Sequence, residues 1–192
     1  LRFTQGTGFK VPTFNALFWP KSGNPNLLPE ESVARELGLR YQGAFQLDVV
    51  HYRRDLTNMI VYNGRANQSQ NIGLAQVDGF EYSLSKTIAG VYHQLDLTYA
   101  NPQDLSNNSA VPNIPRHKVS YLATYDWEQW QFSGNVQQRG RVTNITTDVP
   151  VLSSVVLLGA GVSYDWSRDV KIRFNLENLL DKTYQTNLGY LQ

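Results

Sequence analysis

The sequence of 192 residues predicts an all-β fold, a transmembrane antiparallel up-and-down β-barrel. Two observations predict it: apolar and polar residues alternate along many segments, and short connections alternate with long ones. Successive side chains of a strand point to opposite faces, so strict alternation indicates a strand between an apolar and a polar medium. Residues 170–177 show this clearly, with Val, Ile, Phe and Leu at even positions and Lys, Arg, Asn and Glu at odd positions.

The same alternation recurs along the chain, and no segment sustains a helical period. The predicted breaks between strands are short near 42–43, 89–90, 126–128 and 166–169, and long and polar near 9–30, 63–70, 101–113, 144–152 and 181–192. Membrane barrels have short turns at one end and long loops at the other. A soluble β-sandwich is the alternative that alternation alone leaves open. Aromatic residues cluster near the predicted strand ends, and we interpret them as girdles at the membrane interfaces. They are Tyr62, Tyr99, Tyr125, Trp127, Trp130, Trp166 and Tyr184.

Composition excludes several classes of function. Lys and Arg number 17 and Asp and Glu 16, which leaves a net charge of +1 and no basic field for nucleic acid. Cysteine is absent, so neither a disulfide nor a thiolate metal site is possible. The three histidines, His51, His93 and His117, lack metal-ligand spacing, and no serine lies in a Gly-x-Ser-x-Gly motif. We therefore expect no enzyme, no catalytic residue, no cofactor and no metal.

Six motifs follow one another in a fixed order, at residues 8–18, 23–30, 52–60, 71–81, 114–116 and 175–184. Together they resemble the C-terminal barrel region of TonB-dependent outer-membrane receptors, and the resemblance covers essentially the whole chain. Within that family, Asn-Pro-Gln-Asp at 101–104, Ile-Pro-Arg at 114–116 and Leu-Gly-Tyr at 188–190 resemble the receptors for vitamin B12 (cobalamin) most.

The resemblance implies a 22-stranded barrel with an N-terminal plug in its lumen. Residues 1–192 would be part of that single barrel domain, about nine strands from its C-terminal half, without the plug and the final strand. It further implies a bacterial outer-membrane location in contact with lipid, and coupling to the TonB-ExbB-ExbD complex through an N-terminal region. The transported ligand would be cobalamin, bound as cargo and not as a cofactor. A ferric siderophore or haem receptor of the same fold, and a passive porin-like barrel, remain open as alternatives.

Ligand binding is expected in the long loops, because loops on a rigid scaffold commonly carry binding residues. Arg116 is the first candidate, since it lies where a loop enters a strand and offers five donors to amides, phosphate or carboxylate. The resemblance implies that an arginine at this loop end helps to hold the corrinoid, and a salt bridge within the barrel wall is the alternative role. The other candidates are Thr146, Arg141, Asn144, Asp148, Trp19, Asn63 and Arg65.

Overall fold

The computed structural model describes residues 1–111, 113–144, 147–187 and 190–191. One short helix, α1, spans Phe14–Phe18, and no helix in the described part of the chain is long and apolar enough to cross a membrane. The strands are β1 (Arg2–Lys10), β2 (Glu30–Gln42), β3 (Gln46–Asn63), β4 (Gln68–Ile88), β5 (Val91–Asp104), β6 (Ser109–Ala110), β7 (His117–Trp127), β8 (Trp130–Arg139), β9 (Val142–Asn144), β10 (Thr147–Leu152), β11 (Val155–Ser167), β12 (Val170–Leu176), β13 (Gln185–Asn187) and β14 (Tyr190–Leu191).

Ten strands form one continuous antiparallel sheet. Nine of them follow the order β1-β2-β3-β4-β5-β7-β8-β11-β12, and the short β6 pairs with β5 beside this path. This confirms the predicted up-and-down arrangement. The sheet is not closed, because its order ends in β1 on one side and β12 on the other. The structure differs from the sequence prediction at 144–152, which was expected to be loop: residues of this segment form β10, which pairs with β9.

The strand connections define two ends of the sheet. Turns at 43–45, 89–90, 128–129 and 168–169 lie at one end, called here the short-turn end, and the longer connections lie at the opposite, long-loop end. In the β4–β5 turn, Ala89 and Gly90 have φ angles of 50° and 82°. Positive φ at both central residues is the geometry of a two-residue hairpin whose twist matches its strands.

The sheet has one apolar face and one polar face. Strand pairing places a row of apolar side chains on one face of seven strands. The side chains of the adjacent row point to the other face, and most of them are polar. The apolar row is Tyr41, Leu47, Leu84, Leu95, Tyr121, Val136 and Leu158, and the polar row is Arg40, Asp48, Ser83, Asp96, Ser120, Gln137 and Leu157.

The height of the apolar face matches a membrane. On β5 it extends from Val91 to Tyr99, eight residue steps or about 26 Å along the strand. Strand tilt reduces this to about 20 Å, close to the apolar band of roughly 25 Å in outer-membrane barrels. Large apolar side chains on this face remain exposed, among them Leu39 at 56% and Leu97 at 37%. An exposed apolar surface of this kind is suited to contact with lipid.

Aromatic rings mark the short-turn end of the apolar face. Trp127 pairs with Trp130, and the Trp130 ring lies 4.5 Å, between ring centroids, from that of Tyr164. Trp166 continues this group and is 69% exposed. Amphipathic rings of this kind favour the membrane interface. The expectation of an interface girdle therefore fits these residues.

The β3–β4 hairpin continues well past the apolar face at the long-loop end, where it forms a small core with the β5–β7 connection. Leu56 and Val61 of β3 are both buried in it, although an odd separation along a strand places side chains on opposite faces. Asn58 lies between them with φ of 55°, and this left-handed residue interrupts the alternation. The other buried members of this core are Ile72, Ala75 and Val111.

Tyr62 belongs to this projecting hairpin and not to an interface girdle. It lies 11 positions beyond His51, the last residue of the apolar face on β3, which is about 36 Å along the strand. Its hydroxyl donates a hydrogen bond of 2.6 Å to the Asn67 side chain. The interpretation of Tyr62 as a girdle residue is therefore wrong.

Two substitutions on neighbouring residues of β4 test the assignment of faces. Tyr82→Arg should destabilise the complete protein, folded into lipid vesicles, by about 2–4 kcal/mol, because it places a charge in the apolar band. Ser83→Arg is the matched control: it lies beside Asp48 and Asp96 on the polar face and should change the free energy of unfolding by less than about 1 kcal/mol. Denaturant titration followed by tryptophan fluorescence measures both, and equal losses would contradict the assignment.

Candidate ligand-binding site at the long-loop end

The predicted binding residues that the structure describes lie at the long-loop end of the sheet, in the connections or in the strand ends and short strands beside them. Thr146 is outside the described residues, and so are the side chains of Asn144 and Asp148. The structure therefore places five of the predicted side chains. It brings two of them together and separates the other three from that pair.

Arg116 and Arg141 line one cavity of about 570 Å³, together with Ile114, His117 and Ser154. Both arginines are exposed, and no ion pair among the described residues includes either of them. A guanidinium without a carboxylate partner keeps its five donors for a ligand. The alternative role for Arg116 was a salt bridge in the barrel wall, but no carboxylate in the described part of the chain pairs with it. We call this space the arginine cavity.

The two loop ends meet because the adjoining strands are tied together at the same level. The Ala100 N–H donates to the Arg116 carbonyl at 2.8 Å, and the Gly140 N–H donates to the His117 carbonyl at 2.9 Å. A Cβ atom on Gly140 would lie 2.8 Å from Nε2 of His117, so a larger residue here would require the imidazole ring to shift. This close packing sets Arg116 and Arg141, each next to one of these residues, at the rim of the same cavity.

Arg139 is a functional candidate that sequence reasoning missed. It lines a neighbouring cavity of about 650 Å³ with Lys182 and Tyr184, and Ser154 lines both cavities. Its Nη2 donates to the Gln185 carbonyl at 2.9 Å, whereas its buried Nε has no hydrogen-bond acceptor among the described residues. The available signal was the Arg-Gly-Arg run at 139–141, where a strand gives way to a loop.

Asn63 and Arg65 lie far from the arginine cavity. Arg116 is level with Ala100, which pairs through Gly79 with Tyr52, and Asn63 is 11 residues further along β3. That separation is about 36 Å along the strand. A ligand in the arginine cavity therefore reaches Asn63 or Arg65 only if it is very large or if the hairpin bends over it.

Trp19 belongs with the hairpin and not with the arginine cavity. Its loop is fastened to β4, because the Asn24 amide donates to the Ser69 carbonyl at 2.9 Å and Asn71 exchanges two hydrogen bonds with the Leu28 backbone. Asn71 also donates to the Asn58 carbonyl at 2.7 Å. Asparagine in the 71–81 motif thus joins a loop to two strands, which is an architectural role. Trp19 itself is 58% exposed.

The side chain of Asn63 is engaged in its own turn. Its Oδ1 accepts from the Arg65 N–H at 3.0 Å and the Ala66 N–H at 3.2 Å, and its Nδ2 donates to Gln70 at 3.1 Å. This is the local capping that makes asparagine common in turns. The geometry favours a structural role for Asn63, whereas Arg65 is exposed at the tip of the hairpin.

The chemistry available at the arginine cavity is recognition of anionic or amide groups. Arg116, Arg141, Arg139 and Lys182 place four cationic side chains around two adjoining spaces. Among the described residues no three His, Asp or Glu side chains are grouped so that they could hold a metal ion. Charge-assisted hydrogen bonds from arginine are strong and directional, so this end of the sheet is suited to binding.

A family model described as TonB dependent receptor-like, beta-barrel, matches residues 1–179. The chain belongs to this family of TonB-dependent receptor barrels. Two relatives carry the name vitamin B12 transporter BtuB: the protein of Vibrio vulnificus strain YJ016 is 33% identical over 188 residues, and that of Photobacterium profundum is 29% identical over 195. These alignments cover 95% and 96% of this chain but 30% and 32% of the relatives, so the chain spans about a third of their length.

Solved structures of TonB-dependent receptors share the fold. The copper transporter OprC superimposes with a TM-score of 0.78 at 22% identity, covering 95% of this chain and 31% of OprC. A mutant of the ferric enterobactin receptor PfeA of Pseudomonas aeruginosa gives a TM-score of 0.74 at 20% identity, covering 94% of this chain and 32% of PfeA. At these identities the likeness extends to the fold of the receptor barrel and not to its cargo.

The turn role of Asn63 is testable without a ligand. Asn63→Ala should expose the Arg65 and Ala66 amides and destabilise the hairpin tip by about 1 kcal/mol, since three hydrogen bonds are lost. Hydrogen exchange at these two amides and limited trypsin cleavage after Arg65 measure the effect. Gln68→Ala, at the other side of the turn, serves as the control for surface truncation. Unchanged exchange in Asn63→Ala would contradict the turn role.

Proposed function

We propose that this chain forms part of the wall and external loops of a bacterial outer-membrane receptor that binds and imports vitamin B12. The observation that carries the proposal is the convergence of Arg116 and Arg141 on one cavity at the long-loop end. Sequence relatives named vitamin B12 transporter, which align over nearly the whole chain, support the choice of ligand. In barrels of this kind the long loops face outside and the short turns face the periplasm.

The proposed role of this region is recognition. Cobalamin carries peripheral amides and a phosphodiester, and the guanidinium groups of Arg116 and Arg141 are matched to both kinds of acceptor. Arg139 adds a third guanidinium at the adjoining cavity. The sheet end holds the backbone at these positions, so binding orders mainly the two arginine side chains. The loop at 141–148 contains no tyrosine, so here the polar donors carry the recognition.

Import would follow from coupling to an energised partner. We propose that the ligand binds outside and that the TonB-ExbB-ExbD complex, acting through an N-terminal region of the receptor, opens a path past the plug. The nine-strand wall supplies a stable frame for this change and carries out no bond chemistry. A passive porin-like barrel would need no such partner.

A ferric siderophore or haem receptor is the second candidate. The observation that favours it is the group of four cationic side chains at the two cavities, because anionic metal chelates are held by such groups. The two candidates differ in the ligand that saturates the same site, so one competition experiment separates them.

Binding of labelled cyanocobalamin to outer membranes containing the complete receptor tests the proposal. Saturable binding is expected, and Arg116→Ala and Arg141→Ala should each weaken it about 10-fold to 100-fold, the effect of losing a charged hydrogen bond. Arg65→Ala, which removes an exposed arginine remote from the cavity, is the matched control and should leave the affinity unchanged.

Competition decides between the two ligand classes. Unlabelled ferric enterobactin and haemin should not displace the labelled cobalamin. Saturable binding of either iron compound, lost in Arg116→Ala, together with no retention of cobalamin, would reject the vitamin B12 proposal in favour of the second candidate.

A further inference from the structure

The apolar face contains a groove with polar groups inside it. The groove has a volume of about 580 Å³ and crosses β3, β4, β5 and β7 near the short-turn end. Most of its lining is apolar, but Lys86, His93 and Tyr121 also line it. A cation on this face needs a polar partner, and near the short-turn end the headgroup region of the membrane can supply one.

Register shows that the polar pair is enclosed within the apolar face. Lys86 lies directly opposite His93 on the neighbouring strand. On the same face, the next pair toward the middle of the membrane is Leu84 and Leu95. The next pair toward the turn is Ile88 and Val91. The pair therefore has apolar neighbours both toward the middle of the membrane and toward the turn.

The polar side chains are ordered relative to one another. The Nδ1 atom of His93 lies 2.6 Å from the hydroxyl of Tyr121, so one of these two groups donates to the other. His93 pairs with Ala123 on β7, and this small residue leaves space beside the imidazole. Lys86 is exposed, and no ion pair among the described residues includes it. Lys86 therefore has no counter-charge among the described residues and lies beside the apolar part of the groove.

We propose that this groove binds an anionic phospholipid of the leaflet at the short-turn end. The headgroup phosphate accepts hydrogen bonds from Lys86 and from the His93–Tyr121 pair, and an acyl chain lies along the apolar row of Leu47, Leu84 and Leu95. Charge complementarity identifies the occupant: a phosphate neutralises the lysine, and only a lipid also fills the apolar part. The inference rests on the proposed outer-membrane location.

Native mass spectrometry of the complete receptor, purified in detergent, tests this site. Dioleoylphosphatidylglycerol should bind more strongly than dioleoylphosphatidylcholine, and Lys86→Gln combined with His93→Gln should weaken its binding about five-fold or more. Lys86→Arg keeps the charge and should retain binding. Lys171→Gln is the matched control, since Lys171 lies near the same end but pairs with Asp165 on the polar face.

Three results would overturn the site: equal binding of the two lipids, no loss in the double variant, or full displacement of the lipid by glycerol phosphate, which would indicate a simple phosphate site. Cobalamin binding and heat-modifiable migration are measured on the same samples. If the unmodified receptor shows neither cobalamin binding nor heat-modifiable migration, the proposed function or location is wrong. If it shows both but binds the two lipids equally, only the lipid site is rejected.

Discussion

Continuous backbone pairing across nine antiparallel strands is the constraint on which the rest of this structure depends. A membrane offers no water to unpaired N–H and C=O groups, so a strand can cross it only if both neighbours satisfy its backbone. Pairing fixes the register, and register decides which face every side chain occupies. The contrast between the row through Leu84 and Leu95 and the row through Ser83 and Asp96 follows directly from it.

The same register also builds the candidate binding site. Hydrogen bonds through Ala100 and Gly140 bring the ends of β5, β7 and β8 to one level, and the His117 ring lies against Gly140. Arg116 and Arg141 then face one cavity although 25 residues separate them in sequence. The β3–β4 hairpin runs past this level, which removes Asn63 and Arg65 from the same space.

Ion pairs occupy several charges of the wall, whereas the cations at the two proposed sites have none among the described residues. On the polar face Asp48 accepts from Arg40 at 2.6 Å and from Arg2 at 3.4 Å, and Lys171 pairs with Asp165 at 3.1 Å. Arg116 and Arg141 at the loop end and Lys86 on the apolar face have no such partner among the described ion pairs, and these are the positions where we propose external ligands.

The sequence by itself determined the fold class and the two ends of the sheet, because alternation and loop length are local properties of the chain, and the family resemblance added the count of about nine strands. It also identified Arg116 as a candidate at a loop end and Arg141 as a candidate in the next loop. Only the tertiary structure decided that these two share a cavity, that Arg139 lies beside them, and that Asn63 is engaged in its turn. These facts depend on register, on the left-handed turn at Asn58 and on contacts between strands distant in sequence, which no local pattern encodes.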